Sequence, residues 1–381
     1  PRLPPGERAY SAYSLWDTYR ALHPLLTIVQ PERAALMTRD LIRQTQQSPY
    51  GPPVWPLQGK ETGCMIGWHA VSVLAEAQAK GIKADYAAAW PAIRRRAFDP
   101  AMPDIDSTLG RNFYYDLGYI PADKIWESVS RTQEYAYDDW TIARLARKLG
   151  ETAIAARFEK RAQNWRNSFD PKSGFLRARK ADGSFRTPFD PTAINYGSDY
   201  TEGNAWQYSW FMPHDQGGLF RLLGGDAKAV AKLDAMFDYD NSKIDYSHAE
   251  DISGLIGQYI HGNEPSHHVA YLYSYAGRPW RTQERLKQIV DSQYKPTPDG
   301  LAGNDDLGQM SAWLVFTALG FYPVAPGSNE YVIGRPFVDR AEMTLPGGAR
   351  FTVVADALSD ANRYVGRVTL NGKPLERSTI T

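Results

Sequence analysis

The stretch that decides the fold is KIWESVSRTQEYAYDDWTIARLARKLG, residues 124–150, followed directly by ETAIAARFEKRAQNWRNS, residues 151–168. The first part reads as one helix over 124–149, stopped by Gly150. The second reads as another helix over 151–168. Glycine is the usual residue just past a helix end, because it takes the left-handed backbone without a Cβ clash. A link this short turns the chain back on itself, so the two segments read as a helical hairpin.

The same rhythm runs outward in both directions. A helix opens near Ser14 and is interrupted at Pro24. Pro31-Glu32-Arg33 restarts one that continues to about Gln46, with proline in the first helical position and an acid behind it. Further helices read over about 66–80, 86–97, 204–223, 226–237, 264–276, 281–294 and 308–320. Long polar loops separate the hairpins. An open α-solenoid would show repeats that resemble one another more than these do. The expected fold is therefore mostly α, with helical hairpins closed into an α/α barrel.

From about residue 330 the period changes. Tyr331-Val332-Ile333, Ala341 to Leu345, Arg350 to Val354 and Arg367 to Leu370 are short β-type runs, with Gly347-Gly348 and Asn371-Gly372 as turns. The expected division is a helical barrel over 1–325 and a C-terminal β segment over 326–381. Pro1 to Glu7 reads as a linker with no signal segment, so the chain is expected to be a processed or truncated piece.

Composition narrows the function. The 43 basic and 43 acidic residues cancel, which argues against nucleic acid as partner. No apolar run is long enough for a membrane span. The single cysteine, Cys64, excludes an intrachain disulfide and a cysteine-built zinc site. Aromatics reach 13%, with 11 Trp and 23 Tyr, a supply of flat faces that suit sugar rings as well as helical cores.

Chemistry gathers in the loops that feed helix starts: Gly59 to Gly63, Gly118 to Asp123, Asp199 to Asn204, His261 to Pro265 and Gly303 to Asp306. In a ring of hairpins these loops cluster at one end. Capping needs one polar residue per loop, and these carry several. Glu202, Glu264, Asp305 and Asp306 have no ion-pair partner nearby in sequence. With no Gly-x-Ser-x-Gly elbow and no phosphate loop, carboxylate acid–base or metal-assisted chemistry remains. Glycoside hydrolysis needs such a pair, one carboxyl holding a proton and one ionised. Trp206 and Tyr208 read as a desolvating wall for Glu202. The oxygen-rich set Asn204, Gln207, Asn263, Glu264 and Asn304 suits a hard cation such as Ca²⁺ better than His267-His268 suits any metal.

Five motifs then resemble glycoside hydrolase family 92, in order along nearly the whole chain. They are Ser14 to Arg20, Gly118 to Pro121, Thr201 to Tyr208, Gly262 to His268 and Gly303 to Trp313. The resemblance implies an (α/α)6 barrel preceded by an N-terminal β-sandwich. It implies an exo-acting α-mannosidase that removes terminal α-linked mannose, α-1,2 or another exo linkage, with inversion and with Ca²⁺. Glu202 is then the general acid, Asp306 the general base, and Asp305 the runner-up base. Trp16, Asp17, Trp206, His261 and Glu264 are expected at the sugar, and Asn204, Asn263 and Glu264 at the calcium. The implied partner is a mannose-containing oligosaccharide or glycoprotein glycan, in a secreted, periplasmic or cell-surface setting. The β-sandwich is expected to be missing here, and the β segment to pack where it would sit. The alternatives are a non-catalytic mannose-binding fragment and an α/α-barrel polysaccharide lyase. The aglycone is expected near His248 to Asp251 and His261-Gly262.

Overall fold

The computed structural model describes residues 3–194 and 198–381. Pro1 and Arg2, at the start of the expected linker, lie outside the described residues. The helices are α1 Leu15–Thr18, α2 Leu22–Val29, α3 Pro31–Gln47, α4 Ala70–Ala79, α5 Tyr86–Phe98, α6 Arg111–Leu117 and α7 Ser128–Lys148. They continue as α8 Thr152–Arg161, α9 Ala205–Tyr208, α10 Gln216–Leu223, α11 Asp226–Phe237, α12 Leu272–Tyr275, α13 Pro279–Gln293 and α14 Gln309–Leu319.

The hairpin read from residues 124–168 is α7 packed on α8, with Gly150 in the left-handed region at φ 82°. Buried residues cover nearly the whole circumference of α7, as expected for an inner helix with neighbours on every side. The fold is mostly α and of α/α-barrel type. Helices α2, α4 and α7, the short α9, the turns leading into α12, and α14 form the inner ring. Helices α3, α5, α8, α11 and α13 pack outside them. The ring closes where Gln309 Oε1 accepts N–H bonds from Ala21 (3.0 Å) and Leu22 (3.2 Å), joining the last inner helix to the first.

Three expected helices are broken, and the interruption expected at Pro24 falls earlier, between Thr18 and Leu22, with Pro24 in the first turn of α2. Residues 151–168 are α8 and the 3-10 turn Asn164–Ser168. Residues 204–223 form α9 and α10 with an irregular stretch between, because Pro213 has no N–H to give and restricts the residue before it. Residues 264–276 are two 3-10 turns and the single turn α12, with Pro265 at the start of the first turn. Helix α6 was not expected. Glycines bracket it, Gly110 at φ 80° and Gly118 at φ 75°, and its seven residues are too few to show a period.

The expected strands at 331–333, 341–345 and 350–354 form within a residue of the reading, the run at 367–370 is a strand only over Thr369–Leu370, and Phe321–Tyr322 and Thr379–Ile380 are strands that were not expected. Phe321–Tyr322 pairs with Tyr331–Ile333, which pairs in turn with Thr379–Ile380, and Arg340–Thr344 pairs with Arg350–Val354. Both faces of that last hairpin are at least partly accessible, in contrast to the fully buried Phe321, Tyr322, Tyr331 and Val332 beside the helices. Among the described residues no helix is long and apolar enough to cross a membrane.

Candidate active site

Hydrogen bonds between backbones and short side chains bring the polar loops together. Thr201 N–H donates to Ser130 Oγ on α7 at 2.8 Å, which fixes the loop ahead of Glu202. Asn263 Nδ2 donates to the Glu202 carbonyl at 2.6 Å, and its Oδ1 accepts from Glu264 N–H at 3.1 Å. One amide therefore couples the Glu202 loop to the Glu264 loop. Next to it, Gly262 lies so close to Ser253 that a Cβ would overlap the Ser253 side chain. A Cβ on Gly303 would sit 2.7 Å from Ser253 Oγ and 3.1 Å from the Gly262 carbonyl. Only glycine permits this approach of the 253, 262 and 303 segments.

The two acid-bearing turns are strained. Glu202 at φ 45°, Asp306 at φ 47° and Leu307 at φ 54° are non-glycine residues in the left-handed region. Each such residue costs on the order of 1 kcal/mol or more, and such strain gathers at functional sites.

The outcome is a cluster of acids. Asp17, Glu264 and Asp306 each offer a carboxylate oxygen, and these oxygens lie within 4.8 Å of one another. Asp17 and Glu264 are buried, and Asp17 Oδ2 and Glu264 Oε1 have no hydrogen-bond partner. Burial, then the charge of Asp306, pushes the Asp17 carboxyl well above the ordinary carboxylate range, and Arg20 pulls the other way. Burial and then Asp17 and Asp306 do the same to Glu264, again against Arg20. For Asp306, burial raises the pKa and a hydrogen bond with Glu264 lowers it, the net being upward.

Glu202 is within electrostatic reach of this set, raising the pKa of Asp17 and being raised by Asp306. It lies in a pit lined by Ile194, Tyr200, Gly203, Ala249, Asp251 and Ile252. Burial, then the charge of Asp251, pushes its carboxyl up to about 8. Glu127 and Asp306 add to the rise, and the hydrogen bond with Asn263 opposes it. At neutral pH Glu202 therefore carries its proton. A larger cleft of about 500 Å³, bounded by Arg8, Tyr10, Val29 and Pro31, lies elsewhere and includes none of these acids.

The structure brings Glu202, Asp17, Glu264 and Asp306 together. It does not bring all the expected residues into that set. Asp305 Oδ1 accepts from Ser311 N–H (2.9 Å) and Ser311 Oγ (2.8 Å), so this exposed carboxylate caps α14. Asn204 caps α9 through Trp206 N–H (2.9 Å) and gives its amide N–H bonds to Thr192 O and Gln258 Oε1. Trp206 packs edge-on against Phe175, 4.9 Å between centroids, and against Tyr239. His261 is fully buried, each ring nitrogen 2.8 Å from a tyrosine hydroxyl, Tyr259 or Tyr294. Trp16 is buried beside Asp17 with its indole N–H on Glu134 Oε1 at 2.9 Å. His267 and His268 each donate Nε2–H to a backbone carbonyl, of His261 and Trp210, and burial holds both below the usual histidine range.

Three residues at the site carried no expectation of their own as charges: Arg20, Glu127 and Asp251. Arg20 was findable, since it stands three residues after Asp17 in the same motif. Glu127 and Asp251 reach Glu202 only through the packing of the loops.

The whole chain from residue 3 to 381 matches the model of the glycosyl hydrolase family 92 catalytic domain. The chain belongs to glycosyl hydrolase family 92. A secreted glycosidase of Arthroderma benhamiae, itself uncharacterised, is 32% identical over 350 residues, covering 82% of this chain and 43% of that protein. A family 92 α-mannosidase of Bacteroides thetaiotaomicron, solved in complex with mannoimidazole, superposes with TM-score 0.94 at 41% identity, over 100% of this chain and 50% of that one. An inverting family 92 mannosidase from the same organism superposes with TM-score 0.88 at 37% identity, over 98% and 52%. The chain spans about half the length of the relatives it matches.

Proposed function

We propose that this family 92 chain forms the barrel of an exo-acting α-mannosidase working by single displacement with inversion. The observation that carries the reading is the unequal state of two kinds of carboxyl in one site. Glu202 is pushed up to about 8 by burial and by Asp251. Asp306, partly exposed, sits among carboxylates, and its charge reaches Glu202. Glycoside hydrolysis needs this inequality: a proton donor for the leaving oxygen and an acceptor that activates water from the opposite face, with roughly 6.5–9.5 Å between carboxyls in inverting enzymes.

In this mechanism Glu202 protonates the glycosidic oxygen, and its apolar lining keeps the proton on it until the bond breaks. Asp306 takes the proton of the attacking water. Asp305, engaged at the start of α14, holds the turn that aims Asp306. Asp17 and Trp16 hold the terminal mannose. Asn263 aims Glu202 through its carbonyl. The His248 to Ile252 segment, whose Ala249, Asp251 and Ile252 line the pit, forms the aglycone side.

The residues present fit a calcium ion. Three carboxylates, two of them with an orphaned buried oxygen and all three with raised pKa values, are a set that a hard dication would relieve. Asp17, Glu264 and Asp306 would hold it, in place of the set with Asn204 and Asn263 that the sequence pointed to. Bound there, the ion would supply Lewis-acid contact to sugar hydroxyls.

The domain division follows the same reading, a barrel over 1–325 and a β segment over 326–381, whose accessible hairpin would pack against an N-terminal β-sandwich. The substrate would be a mannose-rich oligosaccharide or glycan outside the cytoplasm. Product NMR on α-1,2, α-1,3, α-1,4 and α-1,6 mannobioses, with and without EDTA, tests all of this. Release of β-mannose that EDTA suppresses is expected. Mannose binding without turnover would make the chain a binding fragment instead.

A further inference from the structure

Helix α7 places Glu134 and Asp138 one turn apart on the same face, and His69, at the start of α4, is inserted between them. His69 Nε2 lies 2.6 Å from Glu134 Oε2, and Nδ1 lies 2.8 Å from Asp138 Oδ1, with all three side chains fully buried. Tyr19 stacks on the imidazole at 4.4 Å between centroids. Asp138 Oδ2 accepts Trp68 N–H at 2.9 Å. The other Glu134 oxygen, Oε1, turns toward the site. It accepts the Trp16 indole N–H at 2.9 Å and lies 3.5 Å from the Tyr208 hydroxyl. One carboxylate thus holds the residue before Asp17 and a residue six after Glu202. Arg20 feels both Glu134 and Glu264, so the buried network and the acid cluster share one cation.

Stability alone does not account for this arrangement. A buried ion pair returns little more than it loses in desolvation, and apolar packing of equal volume serves as well. What such a pair does provide is a fixed geometry. We propose that His69 is a positioning residue: it fixes Glu134 so that Oε1 locks the Trp16 indole, and through it the Asp17 carboxylate, against the sugar. Burial by itself would lower the His69 pKa, but Asp138 and Glu134 outweigh it and push it up to about 9, so the clamp is an imidazolium at neutral pH. The inference rests on the proposed place of Trp16 and Asp17 at the terminal mannose.

The test is a double-mutant cycle of His69→Gln and Trp16→Phe, read as kcat and KM on an aryl α-mannoside, with thermal midpoints for all four proteins. A relay through the indole N–H predicts that each single variant raises KM about tenfold. It also predicts that the double variant loses no more kcat/KM than the worse single. Losses that multiply, or a lowered midpoint with wild-type KM, overturn it. Should His69→Gln not fold, Asp138→Asn takes its place in the cycle. A second readout needs no turnover: the near-ultraviolet circular dichroism of Trp16, obtained as the difference from Trp16→Phe, changes on His69→Gln if the clamp holds the indole. An unchanged difference spectrum defeats the relay alone, whereas absence of mannose release from every α-mannoside by the parent defeats the functional reading and leaves the spectrum to judge the relay.

Discussion

Two groups of acids, both within reach of Arg20, differ in how their charge is balanced. Behind the site, Glu134 and Asp138 close on His69, and each has further N–H donors. At the site, Asp17 and Glu264 close on Asp306, with Arg20 as the nearby cation and buried oxygens left without partners. The first group is compensated in charge by the imidazolium, although His69 Nδ1 and Asp138 Oδ1 meet as an ion pair without an aligned hydrogen bond. The second is under-compensated, and burying charge without a partner is expensive enough that it persists where a ligand or a proton settles the balance. On the proposed reading, Glu202 takes the proton and the three-acid cluster takes a cation. The contrast then separates a framework ion pair from a site open to a ligand.

The largest expected effect breaks the uncompensated side. Glu202→Gln should lower kcat on mannobioses by about 10²–10⁴, the usual contribution of a general acid, and leave activated aryl mannosides much less affected. Equal loss on both, in steady-state kinetics, would take the proton-donor role from Glu202. Asp306→Asn should depress both substrate types alike, and Asp305→Asn neither to the same degree.

Next comes the cation. Calcium titrated into the chelated protein should raise the thermal midpoint, by roughly 2.7 kcal/mol of stabilisation at one hundred times its Kd. Glu264→Gln should abolish that shift, because it removes a charge from the three-acid cluster. A calcium response that survives Glu264→Gln would place the ion elsewhere.

A pH comparison sharpens the contrast between the two groups. Glu202 has a folded pKa of about 8 against an ordinary value of 4.5. Below pH 4.5 it is protonated in both states and contributes nothing. Above that, the unfolded chain loses its proton first, so the folded state is penalised increasingly until about pH 8. Glu202→Gln should therefore be more stable than the parent at pH 8 by on the order of 2 kcal/mol, allowing for partial solvent access, and equal to it near pH 4. His69 runs the other way, with a folded pKa of about 9 against 6.5. Its stabilisation is complete below 6.5 and is lost as pH rises through 9. Denaturant titrations across pH 4–10 would read both. The smallest effect is at the α14 cap, where Asp305→Ala should cost about 1 kcal/mol of stability, measured the same way.

Much of the frame was legible in the chain. The α7–α8 hairpin, the glycine stops and the strands at 331–333, 341–345 and 350–354 were readable because each follows from a local period or a backbone preference. The breaks at Pro213 and Pro265 were signalled by proline, yet hidden inside apolar runs that look continuous. The choice between Asp305 and Asp306 was not readable, because adjacent residues share every local property. Only the left-handed backbone at Asp306 and Leu307, with Ser311 waiting for Asp305, sends one carboxylate to a cap and the other to the cluster.

The sequence by itself determined the mostly helical ring, the family, and the loops that carry the acids, since these depend on pattern and on motifs contiguous along the chain. Which acids meet was decided by the tertiary structure alone. Asp17 on α1, Glu264 and Asp306 come from distant parts of the chain, and the asparagine bridge and glycine contacts that join the 202, 253, 262 and 303 segments leave no periodic trace. Their pKa values are set by burial and by charges across space, and neither exists until the ring has closed.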